Sequence, residues 1–125
     1  MKKKITKKTK AIILVHYNGL SCKFEEYLEI KKKYNLFLIE DCAHAFASKY
    51  KNQFLGTIGD LGTFSFHDTK NFPVGQGGAL SVNNNNLIKK AKIYCDKGTD
   101  RSFMGNKSYY SWKGVGSEIR ATELT

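Results

Sequence analysis

Three short stretches of the chain collect side chains able to do chemistry: His16, Tyr17 and Asn18; Glu40, Asp41 and His44; and Ser65, His67, Asp68 and Lys70. A lysine amine can condense with an aldehyde, and a carboxylate can hold a proton on a ring nitrogen. Asp41 with Lys70 is therefore the pair that pyridoxal phosphate chemistry needs. Composition and spacing alone also allow a blander account, in which Asp41 caps a strand end and Lys70 is one solvated lysine among many. A third account takes Asp41, His44, His16 and His67 as zinc ligands in a metal-dependent hydrolase. That set leaves Lys70 and the position of Ser65 without a use. Behind Lys70 runs Gly75-Gln76-Gly77-Gly78, where backbone can approach a ligand or a neighbouring element closely.

These groups act together only if secondary structure gathers them. Ala11 to His16 is a continuous apolar run of strand length, of the kind expected when both faces of a sheet are covered. Ser21 is placed to cap a helix whose Phe24, Tyr27, Leu28 and Tyr34 recur at helical spacing, and Leu36 to Glu40 then reads as a second buried strand ending at Asp41. Strand, helix, strand makes a βαβ unit with parallel strands, so the fold class is α/β. After a turn at Lys51 to Gln53, Gly62 to His67 reads as a third strand and Gly78 to Val82 as a fourth. The link between those two contains a proline and glycines and has no helical period, which predicts an antiparallel fourth strand. A helix capped by Asn86 follows, with Leu87, Ile88, Ala91, Tyr94 and Cys95 on one face and an end near Gly98. Thr99 to Ser117 reads as loop, with Tyr110 and Trp112 as packing aromatics, and Glu118 to Thr125 as the start of a helix. In an open α/β sheet ligands sit at the carboxyl ends of strands, where all three polar clusters fall.

The chain has 125 residues, enough for one core and, on that expectation, no second domain. No apolar stretch approaches the length of a membrane span or signal-peptide core, and a cytoplasmic address is expected. Cys22, Cys42 and Cys95 form an odd set without C-x-x-C spacing, which predicts reduced, mostly buried thiols, with Cys42 turned into the sheet. The 21 basic residues against 11 acidic ones give a net charge of +10, so a module binding anionic polymers has to be weighed. All the basic residues but Arg101 and Arg120 are lysines, however. Arginine is the side chain that reads phosphates and bases bidentately, so the balance favours a solvated lysine surface over nucleic acid or membrane.

The wording of the motifs adds a further argument. Val15-His16-Tyr17-Asn18-Gly19, Ile39-Glu40-Asp41-Cys42-Ala43-His44-Ala45, Gly62-Thr63-Phe64-Ser65-Phe66-His67-Asp68-Thr69-Lys70-Asn71 and Gly75-Gln76-Gly77-Gly78-Ala79-Leu80 occur in one order. That order resembles the DegT/DnrJ/StrS family of sugar-nucleotide aminotransferases over practically the whole chain. Lys97-Gly98-Thr99-Asp100-Arg101-Ser102, and Tyr110-Ser111-Trp112 through Glu123-Leu124, resemble its branch that makes dTDP-4-amino-4,6-dideoxygalactose.

The resemblance implies part of the large domain of a fold type I, aspartate-aminotransferase-like enzyme: a mostly parallel sheet with flanking helices. It implies that Lys70 is the Schiff-base lysine, that Asp41 meets the pyridine nitrogen of pyridoxal 5'-phosphate, that His44 contacts the cofactor ring or its phenolic oxygen, and that Ser65 binds the phosphate. Lysine rather than histidine at position 70 favours transamination over dehydration. The implied substrates are glutamate as amino donor and a nucleotide-linked 4-keto-6-deoxy sugar, dTDP-4-dehydro-6-deoxyglucose first, at a site between two subunits of a homodimer. Gln76 stands where the family commonly has glutamate. Family members are also longer, so residues 1–125 are expected to form a partial cofactor-binding domain without its N-terminal segment and C-terminal small domain, inactive by itself.

Overall fold

The structure is a computed structural model, and it describes residues 4–105 and 109–119. Chain contacts group into two compact units, Met1–Asn83 and Asn84–Thr125. The first unit is built on a four-stranded sheet of β1 (Ala11–Val15), β2 (Phe37–Asp41), β5 (Leu61–Ser65) and β6 (Gly78–Val82), in that spatial order. β1, β2 and β5 run parallel, and β6 is antiparallel to β5, as its short connection predicts.

Helix α1 (Phe24–Tyr34) links β1 to β2, with Glu25 and Glu26 in its first turn and Lys31, Lys32 and Lys33 in its last, signs that suit the helix dipole. It stops at Asn35, held at φ 51°, whose N–H bonds the Lys31 carbonyl. Ser21 is not its cap. Phe24 opens the helix because its ring is needed in the core, which leaves the cap position to Lys23, without a side-chain bond. Phe24 and Ile30 are the buried residues of α1, whereas Leu28 and Tyr34, expected on the inner face, are exposed.

Phe24 and Ile30 pack with Ile12, Leu14, Leu36, Leu38, Cys42, Ala45 and Leu55 into one apolar core on one face of the sheet. β1 alternates instead of being buried on both sides: Ile12 and Leu14 point into that core, while Ile13 and Val15 are 60% and 55% exposed. Of the three free cysteines only Cys42 is buried.

Between β2 and β5 the chain makes a small hairpin of β3 (Lys49–Tyr50) and β4 (Gln53–Phe54), too short to leave a pattern in the sequence beyond its turn. Glu25 of α1 accepts bonds from the Tyr50 hydroxyl and the Lys51 ammonium, both at 2.6 Å. Those bonds lower the Glu25 carboxyl to about 2.

In the second unit, α2 (Asn85–Cys95) is capped by Asn84, whose side chain accepts the N–H of Asn86 at 3.1 Å; Asn86, expected as the cap, lies inside the helix. The segment that follows has no period, but it is tied down. Bridges join Asp96 to Glu118 and Thr99 to Trp112, and a 3-10 turn spans Arg101–Phe103. The Asp100 carboxylate accepts from the Ser111 N–H and hydroxyl at 2.7 and 2.8 Å and meets Lys113 at 3.3 Å. Tyr110 and Trp112 pair edge to face yet stay exposed. The helix expected from Glu118 to Thr125 falls largely on residues 120–125, outside the described residues. Among the described residues no helix is long and apolar enough to cross a membrane.

Candidate active site

Because side chains alternate along a strand, adjacent residues of β2 face opposite ways: Leu38 and Glu40 point into the core, and Ile39 and Asp41 to the other side. Register carries that second face across the sheet. Asp41 pairs with Val15 on one neighbour and Thr63 on the other, and Ser65 lies two residues beyond Thr63 at the end of β5. Asp41 and Ser65 thus share the face opposite the α1 core, each at the carboxyl end of its strand.

The loops beyond these ends bring the remaining candidates together. One oxygen of Asp41 accepts the Ala43 N–H at 3.0 Å, which turns the chain sharply after β2 and starts the loop that carries His44. Beyond β5, residues 66–77 form a loop closed at its base by bonds from the Phe66 N–H to the Gly77 carbonyl and from the Val74 N–H to the Phe66 carbonyl, both 2.9 Å. Lys70 sits on this loop, half-buried, with Nζ 3.2 Å from Nε2 of His44. The His44 ring also meets that of Tyr17, 5.4 Å away between centroids. His67 stays apart, exposed and bonded to Thr69.

On the core side of the same strand end lies a group that the sequence reading named only as a strand-end residue. Glu40 is wholly buried, and its carboxylate accepts from the N–H groups of Gly59 (2.6 Å), Gly56 (2.7 Å) and Ile58 (2.7 Å) and meets His16 Nε2 at 3.2 Å. Burial by itself raises its carboxyl, but the bonds from His16 and the three N–H groups outweigh burial and hold it below its ordinary value. A carboxylate inside a run as apolar as Leu-Phe-Leu-Ile-Glu has to be satisfied by partners, and that was the available signal. Cys42 is the reverse case. Burial, with the negative charges of Glu40 and Asp41, pushes its thiol up to about 12, so it is no nucleophile at neutral pH.

The zinc alternative does not gain from this arrangement. Among the described residues the group with ligand atoms close enough for a metal is His16, Glu40 and Cys42, not the four named for a hydrolase. Glu40 is already committed to four donors, and Cys42 keeps its proton. His44 has the Lys70 amine where a metal would need the imidazole.

Residues 1–125 match the DegT/DnrJ/EryC1/StrS aminotransferase family from end to end. The chain belongs to that family. The GDP-perosamine synthase of Escherichia coli O157:H7 is 45% identical over 98 residues, which cover 78% of this chain and 27% of the synthase. The solved structure of Helicobacter pylori PseC, an aminotransferase involved in the biosynthesis of pseudoaminic acid, superposes with a TM-score of 0.86 at 30% identity, over 97% of this chain and 32% of that one. The putative sugar aminotransferase Spr1654 from Streptococcus pneumoniae, solved in a PLP form, gives 0.78 at 26% identity, over 98% of this chain and 35% of its own. The chain therefore spans about a third or less of these relatives' length. The α/β fold expected from the sequence, a mostly parallel sheet with flanking helices, is the fold of these sugar aminotransferases.

The residues present fit a pyridoxal phosphate group. An amine, an imidazole beside it, a carboxylate and a hydroxyl fall at neighbouring strand ends or on the loops that leave them, and the cross-strand partner of Ser65 is Gly78.

Proposed function

We propose that residues 1–125 form part of the cofactor-binding large domain of an enzyme that transfers an amino group from glutamate to a nucleotide-linked 4-keto-6-deoxy sugar. The observation that carries the reading is the Lys70 amine held 3.2 Å from His44, just past the end of the strand beside the one that bears Asp41.

Pyridoxal phosphate, when bound, supplies an aldehyde carbon and an electron-withdrawing pyridine ring. In this reading Lys70 holds the aldehyde end and afterwards, as a free amine, carries a proton to and from the substrate carbon. The Asp41 carboxylate keeps a proton on the ring nitrogen, its direction set by the Ala43 N–H. Ser65 donates its hydroxyl to the phosphate, and His44 orients the lysine and borders the ring. We take dTDP-4-dehydro-6-deoxyglucose as the first acceptor to try, a homodimer as the working assembly and the cytoplasm as its location.

Borohydride reduction of the chain with pyridoxal phosphate, followed by peptide mapping, tests the lysine assignment. The pyridoxyl label is expected on Lys70, and a label spread evenly over the lysines would overturn it. The substrate class is tested by placing these residues in the framework of the Escherichia coli GDP-perosamine synthase and assaying glutamate-dependent amination of dTDP- and GDP-linked 4-keto sugars. Lack of amination of either, in a folded chimera that retains cofactor, would sink it.

A further inference from the structure

Resting on the reading of Lys70 above, we propose that Phe46 is a positioning residue that, with Phe72, seats Lys70 against His44. The two loops that carry the pair meet through aromatic rings. Phe46 lies two residues beyond His44, and Phe72 two residues beyond Lys70. The Phe46 and Phe72 rings approach to 4.8 Å between centroids, and Phe46 meets the ring of Phe66 edge-on at 5.5 Å. The Asn71 side chain also donates to the Phe46 carbonyl, a long bond at 3.5 Å.

These rings do more than fill the core. Phe72 is 51% exposed, and Phe46 is half-buried. Their contacts join the 43–48 segment to the 66–77 loop. That loop is closed on itself by its own backbone bonds, so they leave its lean toward His44 undetermined. A lysine amine rides on a flexible four-carbon stem, and it stays at a fixed neighbour only if the backbone beneath it is fixed. The ring interlock supplies that constraint two residues away from each member of the pair.

The test uses the 125-residue chain with pyridoxal phosphate as probe and borohydride as trap, in the wild type and in Phe46→Leu, Phe46→Tyr and Phe72→Leu. Label on Lys70 is read relative to the solvated Lys32 and Lys89 of the same molecule, and folding is followed by thermal melting. Both leucine variants are expected to lower the Lys70 share about 3- to 10-fold, and Phe46→Tyr to keep it. A change that only costs stability lowers the melting temperature without moving that ratio in folded protein. An unchanged ratio in folded leucine variants overturns the inference. Because Phe72 is half in solvent, Phe72→Leu decides alone if Phe46→Leu does not fold. A wild type in which Lys70 is labelled no faster than Lys32 or Lys89 overturns the reading of Lys70 itself, a separate failure.

Discussion

Replacing Asp41 by asparagine keeps the shape of the side chain and the bond from the Ala43 N–H but removes the charge. In the chimera, Asp41→Asn is expected to retain cofactor and to lower the amination kcat by on the order of 100-fold, since a neutral amide no longer favours a protonated ring. Turnover near wild type would remove Asp41 from that role. Glu40 calls for a different experiment. Glu40→Gln takes a charge from four donors in a site closed to water, and urea unfolding at pH 7 should show a loss of about 3 kcal/mol. The pH dependence has a definite sign. The folded-state value of Glu40 is depressed below 4.5, so its contribution is complete above that pH and disappears as pH falls through the folded value. Wild-type stability should drop below pH 4.5, and the glutamine variant should be flatter there; parallel curves would contradict this. With its thiol near 12, Cys42 should resist iodoacetamide at pH 8 in the native chain while the partly exposed Cys22 and Cys95 react, as peptide masses will tell.

At the scale of the elements, Gly62 lets β5 lie close against the loop before it. A Cβ there runs into the Gly56 carbonyl and Cα as well as the Ser81 hydroxyl. Gly62→Ala should cost about 1–3 kcal/mol in urea unfolding by forcing backbone apart, and by shifting β5 it should also weaken labelling of Lys70. A variant as stable as wild type would mean that the loop gives way freely. How much of this could be read beforehand depended on distance along the chain. β1, β2, β5, β6 and the antiparallel turn of β6 follow from local patterns and connection lengths, and so did the placing of Asp41 and Ser65 at strand ends. The start of α1 did not, because Phe24 is drawn to a core formed by distant strands, and Ser21 obeys a local rule that this packing overrides. The Lys70–His44 contact, the Glu40 clamp and the Phe46 interlock join residues 16 to 26 positions apart, and no spacing rule connects them.

Considered as a whole, the chain is strongly basic but leaves an apolar sheet face open. Ile13, Val15 and Leu80 stand exposed on the face that carries Asp41, and β1 is an edge strand. An edge with exposed apolar side chains invites pairing. The 125-residue chain should therefore sediment as concentration-dependent associated species, and Val15→Lys should weaken that association; a concentration-independent monomer would show that the bare face is tolerated. The alternation along β2 also bears on where such a chain can change length over generations. Losing a single codon between Phe37 and Glu40 would rotate the rest of the strand by one place, turning Asp41 inward beneath α1 and leaving the donors around Glu40 facing a different side chain. Length changes at Lys51 and Asn52, in the tip of a hairpin outside the main sheet, would disturb no such alternation. An insertion at that tip thus costs at most the bond that Lys51 gives Glu25, whereas one in β2 is ruinous, although the two places lie only about ten positions apart.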